Sequence, residues 1–308
     1  MKNIKGFLLF LVLGVVLAGS AEASSINKTM PGEADLGDTI TITLDVNNTD
    51  VNAVTVEDLL PANLKLIPGT FEVDGQPIVP TVLLNSVSTD VNTGLHQVVF
   101  DVQVVEVEAS DIDLINFARV IDGNGIEDSN DFELITLYPY EGFVKEINDW
   151  SGTDIPGATA TNVPIHTDIH WWLRIAVENI ASDDVNVMGD VVVKDRLGGD
   201  LELDDVNSVS VGALDDSKTK GKTKKQFLTW TIGTLNDAND AELIIEISTD
   251  TNPGQGKKLS PKNEYTETGT HCLNSGAVVK FIDVEGTGFQ LSAHTPEICV
   301  EAFDPEEE

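Results

Sequence analysis

His166-Thr-Asp-Ile-His170 separates two histidines by four residues, the spacing at which a helix presents a zinc pair on one face. The glutamate that would serve as general base beside the first histidine is missing. The WWLRIAV that follows alternates as a strand does, and along a strand i and i+4 lie about 13 Å apart. The pair therefore reads as loop or strand-end histidines. A better ligand set lies in DGNGIEDSNDFE, residues 122–133. Laid on a calcium loop, Asp122 takes third place, Asn124 fifth, Gly125 the sharp bend at sixth, Asp128 ninth and Asp131 twelfth, with Val120 where the first carboxylate belongs. Oxygen ligands at alternate positions around a glycine are what Ca2+ requires. The other reading of the same residues is a solvated acidic hairpin.

Three further features carry chemistry. Cys272 and Cys299 are the only cysteines, too few for a zinc site, and in an exported chain such a pair is expected to form a disulfide worth about 3.5 kcal/mol. Asn27 and Asn47 each open an N-x-Thr triplet, a glycosylation acceptor if the chain is exported. SKTKGKTKKQ sets Lys218, Lys220, Lys222, Lys224 and Lys225 together in a chain with only 18 basic residues. That run is a solvated loop or a docking point for an acidic neighbour. No glycine-rich phosphate loop and no convergent catalytic set is present, so the expectation is a protein that is not an enzyme.

The chain opens with MKNIKGFLLFLVLGVVLAGSAEASS: lysines, an apolar core, then small residues around Ala21-Glu22-Ala23. This is the pattern of a secretory signal peptide, residues 1–23, which predicts a secreted or cell-surface protein whose mature chain has no membrane span. The net charge of −34 repels nucleic acid and anionic lipid and attracts cations.

The elements that must position these groups are strands. TITITLDV puts Ile40, Ile42, Leu44 and Val46 on one face, HQVVFDVQVV does so with Val98, Phe100, Val102 and Val104, and WWLRIAV with Trp171, Leu173, Ile175 and Val177. In AELIIEI the inward set is Leu243, Ile245 and Ile247. Turn formers separate the runs, and no helical period is evident. Short, punctuated strands with one wet face predict an all-β fold of antiparallel sheets packed as sandwiches.

The pattern also repeats. VTVEDLLPANLKL, residues 54–66, aligns without a gap on VVVKDRLGGDLEL, residues 191–203, sharing Asp58/Asp195 and three leucines. LINFARVID (114–122) resembles LNSGAVVKFID (273–283). Two tandem domains are predicted, Ser24 to Tyr140 and Glu141 to Phe303, before an acidic tail from Asp304 to Glu308. The repeated aspartate reads as the cap of a turn that carries the chain from one sheet to the other.

Gly37-Asp38, Asn47-Asn48 and Val56-Glu-Asp58-Leu-Leu60-Pro61-Ala-Asn-Leu64 resemble the conserved repeat domain of microbial cell-surface proteins, the domain of unknown function numbered eleven. The second half departs from that pattern at Gly198, where proline is expected. The resemblance implies immunoglobulin-like sandwiches on a bacterial or archaeal surface, and no catalytic residues. The function expected is a structural subunit of a surface layer, sheath or filament, polymerising with its own kind. An adhesin or surface module that binds carbohydrate or protein is the alternative. No cofactor is required on either reading, calcium apart.

Overall fold

The computed structural model of the chain describes residues 24–123, 125–128, 133–151, 155–167, 169–179, 187–197, 201–215, 227–236, 239–249, 265 and 267–306. The expected leader, residues 1–23, and the lysine cluster from Lys218 to Lys225 lie outside them. Among the described residues every regular element is a strand, and no helix is long and apolar enough to cross a membrane.

The first half forms β1 (Ser25–Thr29), β2 (Glu33–Ala34), β3 (Thr39–Asn48), β4 (Val54–Leu59), β5 (Leu64–Leu66), β6 (Glu72–Val73), β7 (Gln76–Pro77), β8 (Thr81–Leu83), β9 (Ser86–Val91), β10 (Gly94–Val104), β11 (Glu106–Val107), β12 (Ile112–Asp122), β13 (Gly125–Asp128) and β14 (Glu133–Leu137). The second forms β15 (Phe143–Ser151), β16 (Asn162–Pro164), β17 (His170–Glu178), β18 (Val187–Arg196), β19 (Glu202–Val209), β20 (Ala213–Asp215), β21 (Phe227–Asn236), β22 (Asp240–Ser248), β23 (Gly269–Cys272), β24 (Val278–Asp283), β25 (Gln290–His294) and β26 (Cys299–Phe303).

Alternation decides which side of each strand is dry. Ile40, Ile42, Leu44 and Val46 of β3 and Val98, Phe100, Val102 and Val104 of β10 are all buried, and so are Trp171, Leu173, Ile175 and Val177 of β17. Burying each such side chain contributes about 1.5–3 kcal/mol. Trp171 and Trp230 are both in the core, and their indole nitrogens donate to the carbonyls of Ala160 and Val211, each at 2.9 Å.

In the first half one sheet runs β1-β3-β10-β6-β7, with β5 also on β10, and the other runs β2-β14-β12-β4-β9-β8, with β13 on β12. In the second half the orders are β15-β17-β22-β19, β16-β26-β23 and β11-β25-β24-β18-β21-β20. Pairing is antiparallel except at β2 with β14, β16 with β26 and β11 with β25.

Two of these exceptions show the duplication. In each half the opening strand (β1, β15) adds antiparallel to one sheet. Further on the chain adds parallel to the last strand of its half, β2 on β14 and β16 on β26, the second pair in a separate three-stranded sheet. The strand so added keeps the same direction across the core, so it meets the last strand in parallel. In the first half β4 lies between β9 and β12, and in the second β18 lies between β21 and β24. The repeat seen in the sequence is therefore a repeat of topology.

The third exception crosses between halves. β11 pairs with β25, Glu106 opposite Ser292. Around it, Gln103 and Asp283 are buried, and Thr287 Oγ1 donates to Gln103 Oε1 at 2.5 Å.

Candidate functional site

The residues Ile26 and Lys28 share the inner face of β1, because the strand alternates. On β4 the inner face carries Val54, Val56 and Asp58. The two strands belong to opposite sheets, and across the core Lys28 Nζ lies 2.5 Å from Asp58 Oδ2, both side chains fully buried. Asn116, on the inner face of β12, is buried beside them: Ala118, two residues on, is the register partner of Asp58. Burial pushes the Asp58 carboxyl up from its ordinary value, against the opposing pulls of Lys28 and the Asn116 amide. Among the described residues, Asp58 Oδ1 and Asn116 Oδ1 have no hydrogen-bond donor. Buried acceptors left in that state cost about 1–3 kcal/mol each.

The second half builds the same group from the same places. Lys145, inward on β15, binds Asp195 Oδ2 on β18, and both side chains are buried. Asn274, in the bend between β23 and β24, donates from Nδ2 to Asp195 Oδ1 at 3.2 Å. The backbone N–H of Ile298 donates to Asn274 Oδ1 at 2.8 Å. Gly276 makes that bend at φ +83, where a Cβ would come within 2.7 Å of the Thr295 carbonyl oxygen. Burial pushes the Lys145 amine down from its ordinary value, with Asp195 acting the other way.

Both triads follow the chain order lysine, aspartate, asparagine. The reading of Asp58 and Asp195 as turn caps is corrected here. The valines two and four residues before each aspartate are inward, and the aspartate keeps their phase, so it projects into the core rather than over the turn. Taking two charges out of water is costly, and a buried pair is weak evidence for stability by itself.

The other sequence-derived residues are placed as follows. Cys272 and Cys299 are register partners on β23 and β26 and form a disulfide, S–S 2.03 Å. Asn27 is exposed on β1 and Asn47 half-buried on β3. Of the expected calcium ligands, Asp122 on β12 is the register partner of Gly125, and Asp128 on β13 is that of Arg119. The Asp122 carboxylate accepts from the Gly125 N–H at 3.1 Å, and Asn124 and Asp131 lie outside the described residues.

His166 sits in a turn with φ 58, while His170 lies on β17 with Nδ1 3.0 Å from Glu246 Oε1 and 3.4 Å from Asp204 Oδ2. That acidic surround was not evident from sequence, since it is supplied by β19 and β22. At the edge of its sheet, β1 pairs with β3.

An open cleft of about 520 Å³ lies between the β5–β8 region and Phe289 of the second half. Its wall is mostly apolar, and Val79 and Leu84 on it are almost wholly exposed.

No family model matches the chain, and no curated protein matches it. Among solved structures it is similar to the full-length major pilin SpaD from Corynebacterium diphtheriae, at 16% identity and TM-score 0.34 over 81% of this chain. The chain spans 59% of that pilin's length. It is also similar to a protein of unknown function from Porphyromonas gingivalis W83 (12% identity, TM-score 0.21, 91% of this chain and 99% of the other). The third is the secreted serine protease VesC from Vibrio cholerae, at 8% identity and TM-score 0.21 over 73% of this chain and 49% of the other. Likenesses this distant carry no argument about function.

Proposed function

We propose that the chain is a non-enzymatic extracellular structural protein, a subunit of a surface layer, sheath or filament that associates with its own kind. The observation that carries this reading is the duplicated bracing. In each half a lysine on the opening strand is fixed across the core to the facing sheet, and the two halves share main-chain pairing through β11 and β25. The ionisable groups buried in the core lie between strands rather than in the cleft. The resemblance to microbial surface repeat domains and the export signal in residues 1–23 support the same location.

Subunits at −34 repel one another, so assembly needs a positive patch or divalent cations to overcome that field. The lysines from Lys218 to Lys225 meet an acidic face of the next subunit and set orientation more than strength. Light scattering and negative-stain microscopy over a range of salt and calcium test this. Regular polymers are the expected result, slower to form when Lys218, Lys220, Lys222, Lys224 and Lys225 are all changed to Gln. A monomer under every condition overturns the reading.

The apolar cleft favours a second reading, a binding module for a protein partner. A lasting monomer that captures an apolar peptide in that cleft, and loses it on Leu84→Asp, would support it.

A further inference from the structure

We propose that each triad closes by itself into an amide cross-link between lysine and asparagine, Lys28 to Asn116 and Lys145 to Asn274, with Asp58 and Asp195 carrying the protons. This inference stands apart from the surface-subunit reading. It rests on three side chains of complementary chemistry, an amine, an amide and a carboxyl, buried together twice in one chain at equivalent places in the topology.

The second triad shows how the roles divide. The Lys145 amine and the Asn274 amide nitrogen lie on the two oxygens of one carboxyl group, Oδ2 and Oδ1 of Asp195. The group that can pass a proton thus bridges the incoming and the leaving nitrogen. The Ile298 N–H points at Asn274 Oδ1, the oxygen that becomes negative when a nucleophile adds to the amide carbon. A donor fixed in advance at that atom stabilises a tetrahedral intermediate. An amide cannot exchange roles with the carboxyl, since it neither gives nor takes a proton in the accessible range. Asparagine is therefore the electrophile and aspartate the carrier.

The step balances without any further reagent. The unprotonated Nζ adds to the asparagine Cγ and a new C–N bond forms. The protonated carboxyl gives its proton to Nδ2 from one oxygen and takes the proton of Nζ on the other, the Cγ–Nδ2 bond breaks, and ammonia leaves. Nothing is oxidised or reduced. Burial supports the starting state, because it pushes the Lys145 amine towards its neutral, nucleophilic form and the Asp58 carboxyl towards its protonated form. Holding amine and amide in one dry site gives them an effective molarity that can reach on the order of 10⁵ M.

An ordinary ion pair would need only the lysine and the aspartate. In the first half neither Asn116 Oδ1 nor Asp58 Oδ1 has a donor among the described residues, so as a set of separate groups the triad is poorly satisfied. As a cross-link, the triad joins the opening strand to the facing sheet in each half.

The mass of the purified full chain, with its N-terminus mapped and its disulfide reduced, reads the bonds directly. The expected mass lies below that of the sequence by one ammonia for each link. A digest should yield one species joining the Lys28 and Asn116 peptides and another joining those of Lys145 and Asn274. Asp195→Ala, which keeps both partners of the second link, should show the deficit of the first half only. A wild-type mass equal to the sequence overturns the proposal, with no variant required to fold. Loss of water in place of ammonia overturns the choice of electrophile, since the aspartates would then be the acyl donors. A full deficit in Asp195→Ala overturns the role given to Asp195.

Discussion

Gln103 Nε2, near the end of β10, donates at 3.2 Å to Oδ2 of Asp283, the last residue of β24, across 180 residues of sequence. The same amide nitrogen reaches the Gly37 carbonyl at 2.9 Å, and the Asp283 carboxylate also accepts from the N–H groups of Gly286 and Thr287, both at 2.9 Å. The amide thus ties a turn of the first half to a turn of the second. Gln103→Ala removes a donor from a buried carboxylate and an acceptor from Thr287. It is expected to cost about 1–3 kcal/mol, read as a lower midpoint in urea unfolding. An unchanged midpoint would show that β11 with β25 joins the halves unaided.

The disulfide lies in the same half as the better-built triad. Cys272 and Cys299 are 27 residues apart, and closing a loop of that size stabilises by about 3.5 kcal/mol in the chain-entropy account. The double variant Cys272→Ser, Cys299→Ser should melt at a lower temperature by a corresponding amount, and wild type should fall to the same value in reductant. If reductant lowers the double variant as well, the loss has another source.

Glu57 gives a pH dependence with a definite sign. The Ser86 hydroxyl holds its carboxyl below the ordinary 4.5; burial opposes this, and Arg119 adds to it. Its folded value is lower than its unfolded one, so its contribution is fully present above about 4.5 and is lost as pH falls through the folded value. Glu57→Gln should therefore narrow the difference in melting temperature between neutral pH and pH about 3. An equally wide difference in the variant would assign the acid sensitivity to other carboxylates.

Phe100, wholly buried on β10, stacks on Phe71 with ring centroids 5.2 Å apart. Phe71 also lines the open cleft. Phe100→Ala should cost about 3–5 kcal/mol, while Phe100→Leu, which keeps most of the volume, should cost less than half of that. Similar losses in both would mean that the ring contact outweighs the volume.

What sequence alone determined is everything that depends on the period of one strand. The inward sets of β3, β10, β17 and β22 follow from alternation, because successive side chains on extended backbone face opposite ways whatever lies beyond them. The duplication was legible too, in Asp58 with Asp195 and in the Asn-before-Ala segments. The phase of the triads was present in Ile-x-Lys, Phe-x-Lys and Val-x-Val-x-Asp, each setting an ionisable residue in step with apolar ones. From sequence the two aspartates alone read as turn chemistry, since a charge at an inward position has no meaning until its partner is known. Only the tertiary structure decided that partner: Lys28 meets Asp58, and Lys145 meets Asp195, across two sheets whose stacking no local pattern specifies. It decided the register as well, which sets Asp122 opposite Gly125 and Arg119 opposite Asp128. Alternation is set by neighbouring peptide units, whereas the meeting of side chains across a core is set by how whole sheets pack about 10 Å apart.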